Sequence, residues 1–188
     1  GETRENTLGI VQGSTKGGWL NEIGKGQVRR LSEHLAGEHL DICYASDLAR
    51  TLETAREILR FHPQVLLAPR DELREKAYGV FEGLHRDIYY RARDESGVPF
   101  HEFRPEGGET HLDVRERVRR FYQSLFPRHN DHTVLVVSHG AVLAVLYLYL
   151  LKLPFEEYRR YRVENAALSV FEIGGPDEVK LLELNAIH

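Results

Sequence analysis

Residues His132–Gly140, HTVLVVSHG, run straight into Ala141–Leu151, AVLAVLYLYLL. A continuous apolar run of strand length suits a strand covered on both faces, as in a parallel sheet with helices on each side. The second run, about eleven residues long, is too short to span a bilayer and reads as a buried helix. Strand, then Ser-His-Gly, then helix is an α/β unit, and it limits what the rest of the chain can be.

The remaining pattern agrees. Val28, Leu31 and Leu35 recur at helical spacing in GQVRRLSEHLAGEH, with Gly37 as a stop. Leu40–Asp47 reads as a strand, and DLARTLETAREILRF follows as a helix with Leu48, Leu52, Ala55 and Leu59 on one face. Gln64–Pro69 is a short strand, and Asp71–Pro105 is irregular with short helices. ETHLDVRERVRRFYQSLF is a long amphipathic helix with Val114, Val118, Phe121 and Leu125 in its stripe. AALSVFEI and EVKLLELN close the chain as a hairpin around GGPD. The segment Gly9–Gly26 is glycine-rich and reads as a loop. Alternation of strand and helix predicts a three-layer αβα sandwich with a mainly parallel sheet, whose ligands bind beyond the carboxyl ends of the strands.

With 188 residues the chain suits one domain, residues 1–188, with a sizeable core. A formal charge of -4 gives no electrostatic reason to expect nucleic acid or an anionic membrane. The arginines at 29, 30, 117, 119, 120, 159 and 160 read as solvated helix faces. One cysteine, Cys43, cannot form an internal disulfide. It reads as a buried strand residue in a protein of a reducing compartment, the cytoplasm. No secretory signal is visible, and no metal-ligand spacing suggests a metal or other cofactor.

Four places carry candidate chemistry. His139 leaves a strand and enters a helix whose amide groups suit an anion, and Gly140 allows close backbone approach; the alternative is a histidine capping a helix. Asp47 reads as an N-cap, which puts Arg50 in the first helical turn. A cation there opposes the helix dipole, but a guanidinium fork at a strand-to-helix junction also grips phosphate. Glu75 sits in LREKAYGVFEG as a candidate proton donor, or as a loop carboxylate paired with Arg74 or Lys76. Asn6, in GETREN, and Gln12 and Gly13, in VQG, offer neutral contacts to phosphate oxygens.

GETREN, VQG, ASDLARTLETA, LREKAYGVFEG, PEGGET and VVSHGA stand in the order and spacing of the histidine phosphatase superfamily, and the chain resembles that family along essentially its whole length. The resemblance implies the phosphoglycerate-mutase-like fold and a two-step reaction: a histidine attacks phosphorus, and water hydrolyses the phosphohistidine. It implies that His139 stabilises the transferring group, Arg50 is the pocket arginine, and Glu75 protonates the leaving group and then activates water. Asn6, Gln12, Gly13 and Gly140 would line the phosphate site, with no metal required. The family's opening motif is Arg-His-Gly-Glu-Thr, and the printed sequence begins at the Gly. A sheet without a central strand leaves its neighbours' backbone groups unpaired, so roughly ten more residues are expected ahead of Gly1. In KGGWLNEIGKGQ, Leu20, Gly24 and Gln27 match the family, while Gly17 and Trp19 suggest an altered pocket rim.

The expected activity is hydrolysis of a phosphorylated sugar or similar small metabolite. Phosphoglycerate mutase is one alternative, and an inactive relative that binds a phosphorylated ligand is the other. The stretch Tyr89–Phe103 reads as a lid, a homodimer interface or plain packing.

Overall fold

The structure is a computed structural model that describes residues 1–126, 128–175 and 177–188. Helix α1 (Arg4–Thr7) is held by a capping box between Thr3 and Asn6. Helix α2 (Glu22–Leu35) begins where the Asn21 side chain accepts from Gly24 N at 2.7 Å. Residues 22–26 are therefore helical rather than loop. Gly24 is there for packing: a Cβ on it would lie 2.0 Å from the Glu2 carbonyl oxygen.

Strand β1 (Ile42–Ser46), helix α3 (Ala49–Leu59) and strand β2 (Leu66–Arg70) come next. Helix α4 (Arg86–Glu95) and helix α5 (His111–Leu125) precede strand β3 (Val134–Val137). The three strands form a parallel sheet in the order β2-β1-β3. The period-two alternation of side chains makes the layers visible. Cys43, Ala45, Leu67, Leu135 and Val137 face Leu31, Leu35, Ala55 and Ile58 of α2 and α3. Ile42, Tyr44, Ala68, Val134 and Val136 face the other way, against Phe121 and Leu125 of α5. Helix α6 (Gly140–Leu150) packs on α5 through Val142 and Val145 against Val114 and Val118, all four fully buried. Each contributes about 1.5 kcal/mol or more relative to exposure. No described helix is long and apolar enough to cross a membrane.

The hairpin of β4 (Leu168–Gly175) and β5 (Glu178–Ala186) is antiparallel and stands apart from the parallel sheet. Its expected turn includes Pro176, which lies outside the described residues. Between the free edge of β3 and the edge of β4 runs a cavity of about 1560 Å³. This changes one expectation: β3 is only partly buried over Val134–Val136 rather than covered throughout, because that edge opens on the cavity. Gly1 lines the same cavity.

Candidate active site

Three connections leave the carboxyl ends of the parallel strands and bring three side chains together. Past β1, Ser46 and Leu48 lead into α3. The N-cap is Leu48, without a side-chain bond, and Asp47 instead accepts from the Arg74 guanidinium on both carboxylate oxygens. Asp47 is thus a tether for the segment before Glu75 rather than a helix cap: a bidentate guanidinium partner outcompetes one backbone amide. Arg50 is buried in the first turn of α3.

Past β3, His139 is the N-cap residue of α6 and is buried. Its side chain makes no cap bond. Arg50 Nε–H donates to His139 Nδ1 at 3.2 Å, and His139 Nε2 lies 2.8 Å from Ser46 Oγ. A guanidinium can only donate, so Nδ1 accepts and Nε2 carries the ring hydrogen toward Ser46. Burial is the main force holding His139 well below its ordinary pKa, and the positive charges of Arg50 and Arg117 add to it. The ring is neutral, and the site's positive charge rests on Arg50.

Past β2, Glu75 follows a short 3-10 turn over Asp71–Leu73. Its Oε1 accepts from its neighbour Lys76 N at 2.8 Å and its Oε2 from Ala141 N, at the start of α6, at 3.4 Å. Neither neighbouring cation pairs with it. Arg74 is committed to Asp47, and Lys76 is fully buried with Nζ 4.3 Å from the Tyr78 ring centre. Burial pushes the Glu75 carboxyl up; the Lys76 amide, Arg50, the Ala141 amide and Arg117 pull it down less strongly. A carboxyl set this way holds its proton longer than a surface glutamate does.

Arg50 Nη2 donates to Gly13 O at 2.8 Å and Nη1 to Gly17 O at 3.3 Å, so neutral carbonyls aim the guanidinium. Gly13 has φ +56, which suits glycine. Gln12 lines the cavity with Oε1 buried and unpaired. Asn6 also lines it, although its Oδ1 is taken by the Thr3 amide and hydroxyl of the capping box. Gly140 lines the cavity and has open space on its Cβ side. All seven residues singled out from the sequence, Asn6, Gln12, Gly13, Arg50, Glu75, His139 and Gly140, border one cavity. Sequence reasoning passed over Ser46 and Glu82. Ser46 ends a strand in ASD, and Glu82 is a carboxylate just ahead of a glycine in GVFEG; both signals are faint. Cys43 is buried in β1, and burial pushes its thiol to about 12, so it is inert.

The match to known proteins is broad. The sequence profile of the histidine phosphatase superfamily (branch 1) fits residues 1–186. Phosphoserine phosphatase 1 of Hydrogenobacter thermophilus is 30% identical over 98% of this chain and 88% of its own. The adenosylcobalamin/alpha-ribazole phosphatase of Salmonella typhimurium is 31% identical over 100% of this chain and 94% of its own. Among solved structures, a putative alpha-ribazole-5'-P phosphatase from Escherichia coli superposes with a TM-score of 0.88 at 30% identity, covering 99% of this chain and 92% of its own. A mycobacterial glucosyl-3-phosphoglycerate phosphatase complexed with VO3 gives 0.87 at 26% identity, covering 99% of this chain and 95% of its own. The αβα arrangement and the phosphatase activity class are shared with these proteins, and the chain belongs to the histidine phosphatase superfamily (branch 1).

Proposed function

We propose that this phosphatase hydrolyses phosphomonoesters of small metabolites through a phosphohistidine intermediate, and that residues 1–188 form one catalytic domain. The convergence of Arg50, Glu75 and His139 from three strand ends on one wall carries the reading. Relatives named for phosphoserine, alpha-ribazole and glucosyl-3-phosphoglycerate point to a phosphorylated metabolite as substrate.

The nucleophile of that intermediate is a histidine imidazole presented to the phosphate beside Arg50 and His139.

In the first step an imidazole nitrogen of the nucleophilic histidine bonds to phosphorus as the ester P–O bond breaks. Glu75 gives its proton to the departing oxygen. In the second step Glu75, now ionised, takes a proton from water as the water oxygen bonds to phosphorus and the P–N bond breaks. Ester and water become alcohol and phosphate, and Glu75 ends protonated as it began. Arg50 offers its fork to the phosphoryl oxygens, whose charge spreads in transit. His139 stands at the pocket wall as a neutral imidazole anchored to Arg50, with Gly140 and the Asn6 and Gln12 amides around the phosphate. This division of labour uses no metal ion, and the lone, unreactive Cys43 agrees with a cytoplasmic setting.

The test is phosphate release from a panel of phosphorylated hydroxy acids, sugars and nucleosides by the protein expressed from its complete reading frame. Release of phosphate, strongly reduced but measurable in Arg50→Ala, is expected. Isomerisation of phosphoglycerate without net release, or phosphate binding without turnover, contradicts it.

A further inference from the structure

We propose that Glu82 is a positioning residue that latches the Gly13–Thr15 loop so that Arg50 is aimed at phosphate before substrate arrives; the inference rests on the phosphatase reading. Glu82 follows the 3-10 turn Gly79–Phe81. Its Oε1 accepts from Ser14 N at 2.9 Å, from Ser14 Oγ at 3.3 Å and from Tyr78 N at 3.0 Å, while Thr15 Oγ1 donates to its other oxygen. One carboxylate therefore joins two chain segments 68 residues apart. The backbone around it is laced as well: Gly83 N donates to Val11 O at 2.8 Å, and Arg86 N to Gly9 O at 2.8 Å.

The residue between that lacing and Ser14 is Gly13, whose carbonyl accepts from Arg50 Nη2. A Cβ at Gly13 would fall 2.1 Å from Glu82 Oε1, so the loop passes directly over the carboxylate. The relay is then continuous: Glu82 holds the Ser14 amide, the adjoining Gly13 carbonyl holds Arg50, and Arg50 holds His139.

The electrostatics explain why a relay serves better than a direct pair. A carboxylate bonded to Arg50 would fix the guanidinium but cancel its charge, and incoming phosphate would have to displace it. Glu82 makes no hydrogen bond or ion pair to Arg50; its oxygens are used on loop donors. The orientation is fixed through neutral carbonyls, so phosphate has no carboxylate hydrogen bond to displace from Arg50, on which Glu75, Glu5 and Glu82 act only at longer range.

A double-mutant cycle between Glu82→Ala and Arg50→Ala, read in kcat/KM, in the Kd for inorganic phosphate and in Tm, tests this. Glu82→Ala alone is expected to lower kcat/KM and phosphate affinity about tenfold to a hundredfold. In the Arg50→Ala background the same change is expected to cost less than about twofold in either quantity, since the latch then has nothing to aim. Equal losses in both backgrounds, or wild-type values for Glu82→Ala, overturn the proposal. Glu82→Gln keeps an acceptor for the Ser14 and Tyr78 amides and is expected to rescue part of the loss. If the alanine variant does not fold, the same cycle is run with glutamine and judged by the same criterion. Should the wild type hydrolyse no ester, the phosphatase reading fails, and the phosphate titration alone still decides whether Glu82 and Arg50 are coupled.

Discussion

Arg50 Nε–H donates to His139 Nδ1 at 3.2 Å across 89 residues of sequence. This contact fixes which ring nitrogen carries hydrogen, and together with burial, the larger cause, it disfavours protonation of the imidazole. It also links the helix after β1 to the helix after β3, so the two groups form one unit. His139→Ala is expected to lower kcat/KM by about 10²–10⁴ while far-UV circular dichroism stays unchanged. Because the two act together, adding Arg50→Ala should cost much less than a second full factor. Independent, multiplying losses in steady-state assays would show that the contact has no functional weight.

Burial above all raises the Glu75 carboxyl above its ordinary pKa. Its role as proton donor makes a leaving-group prediction. Glu75→Gln should slow hydrolysis of an alkyl phosphate by about 10²–10⁴ but affect p-nitrophenyl phosphate far less, since that leaving group needs little protonation. Equal effects on the two substrates would remove Glu75 from the acid role.

His111 supplies a stability test away from the reacting groups. It is buried among Phe100, Phe155 and Tyr158, its Nδ1 has no partner, and burial above all pulls its pKa from 6.5 to about 3. The folded state therefore binds fewer protons than the unfolded chain between those values. Its contribution is complete above pH 6.5 and is lost as pH falls toward about 3. Between pH 7 and pH 5 this one group should withdraw about 2 kcal/mol, and His139, shifted the same way, adds to the slope. Denaturant titrations of His111→Phe should show a shallower acid loss than wild type. An unchanged slope would mean that His111 titrates normally in the fold.

Gly24→Ala sets two effects against each other. Alanine gains about 1 kcal/mol of helix propensity over glycine inside α2. A Cβ there, however, meets the Glu2 carbonyl oxygen at 2.0 Å and the Glu2 nitrogen at 2.6 Å, both backbone atoms that cannot step aside cheaply. Overpacking of this kind costs about 1–3 kcal/mol, so Tm should fall. A rise in Tm would show that the amino-terminal segment does not pack on α2 this closely.

Much of this architecture is legible in the sequence because it follows from local periodicity. The stripe Val114, Val118, Phe121 marks α5, and the apolar run before His139 marks β3. The seven residues singled out from the sequence border one cavity, Asn6, Arg50 and Gly140 from short or first-turn helical positions and Gln12, Gly13, Glu75 and His139 from connections. What could not be read depends on partners distant in sequence. Asp47 looks like a helix cap until Arg74 is seen to claim it from 27 residues away. Ser46 meets His139 across 93 residues, and Glu82 meets Ser14 across 68. Gly24 of α2 imitates a loop residue because its reason is close contact with Glu2, which no local pattern records.

The central claim is that phosphorus passes through a histidine other than His139, with Arg50, Glu75 and His139 in supporting roles. The most direct measurement is rapid acid-free quenching of the full-length protein with ³²P-labelled substrate, followed by peptide mapping of the label. The account predicts a label that is stable in base, lost in acid, and absent from the peptide that carries His139. Turnover with no such label, or a label on His139, would contradict it.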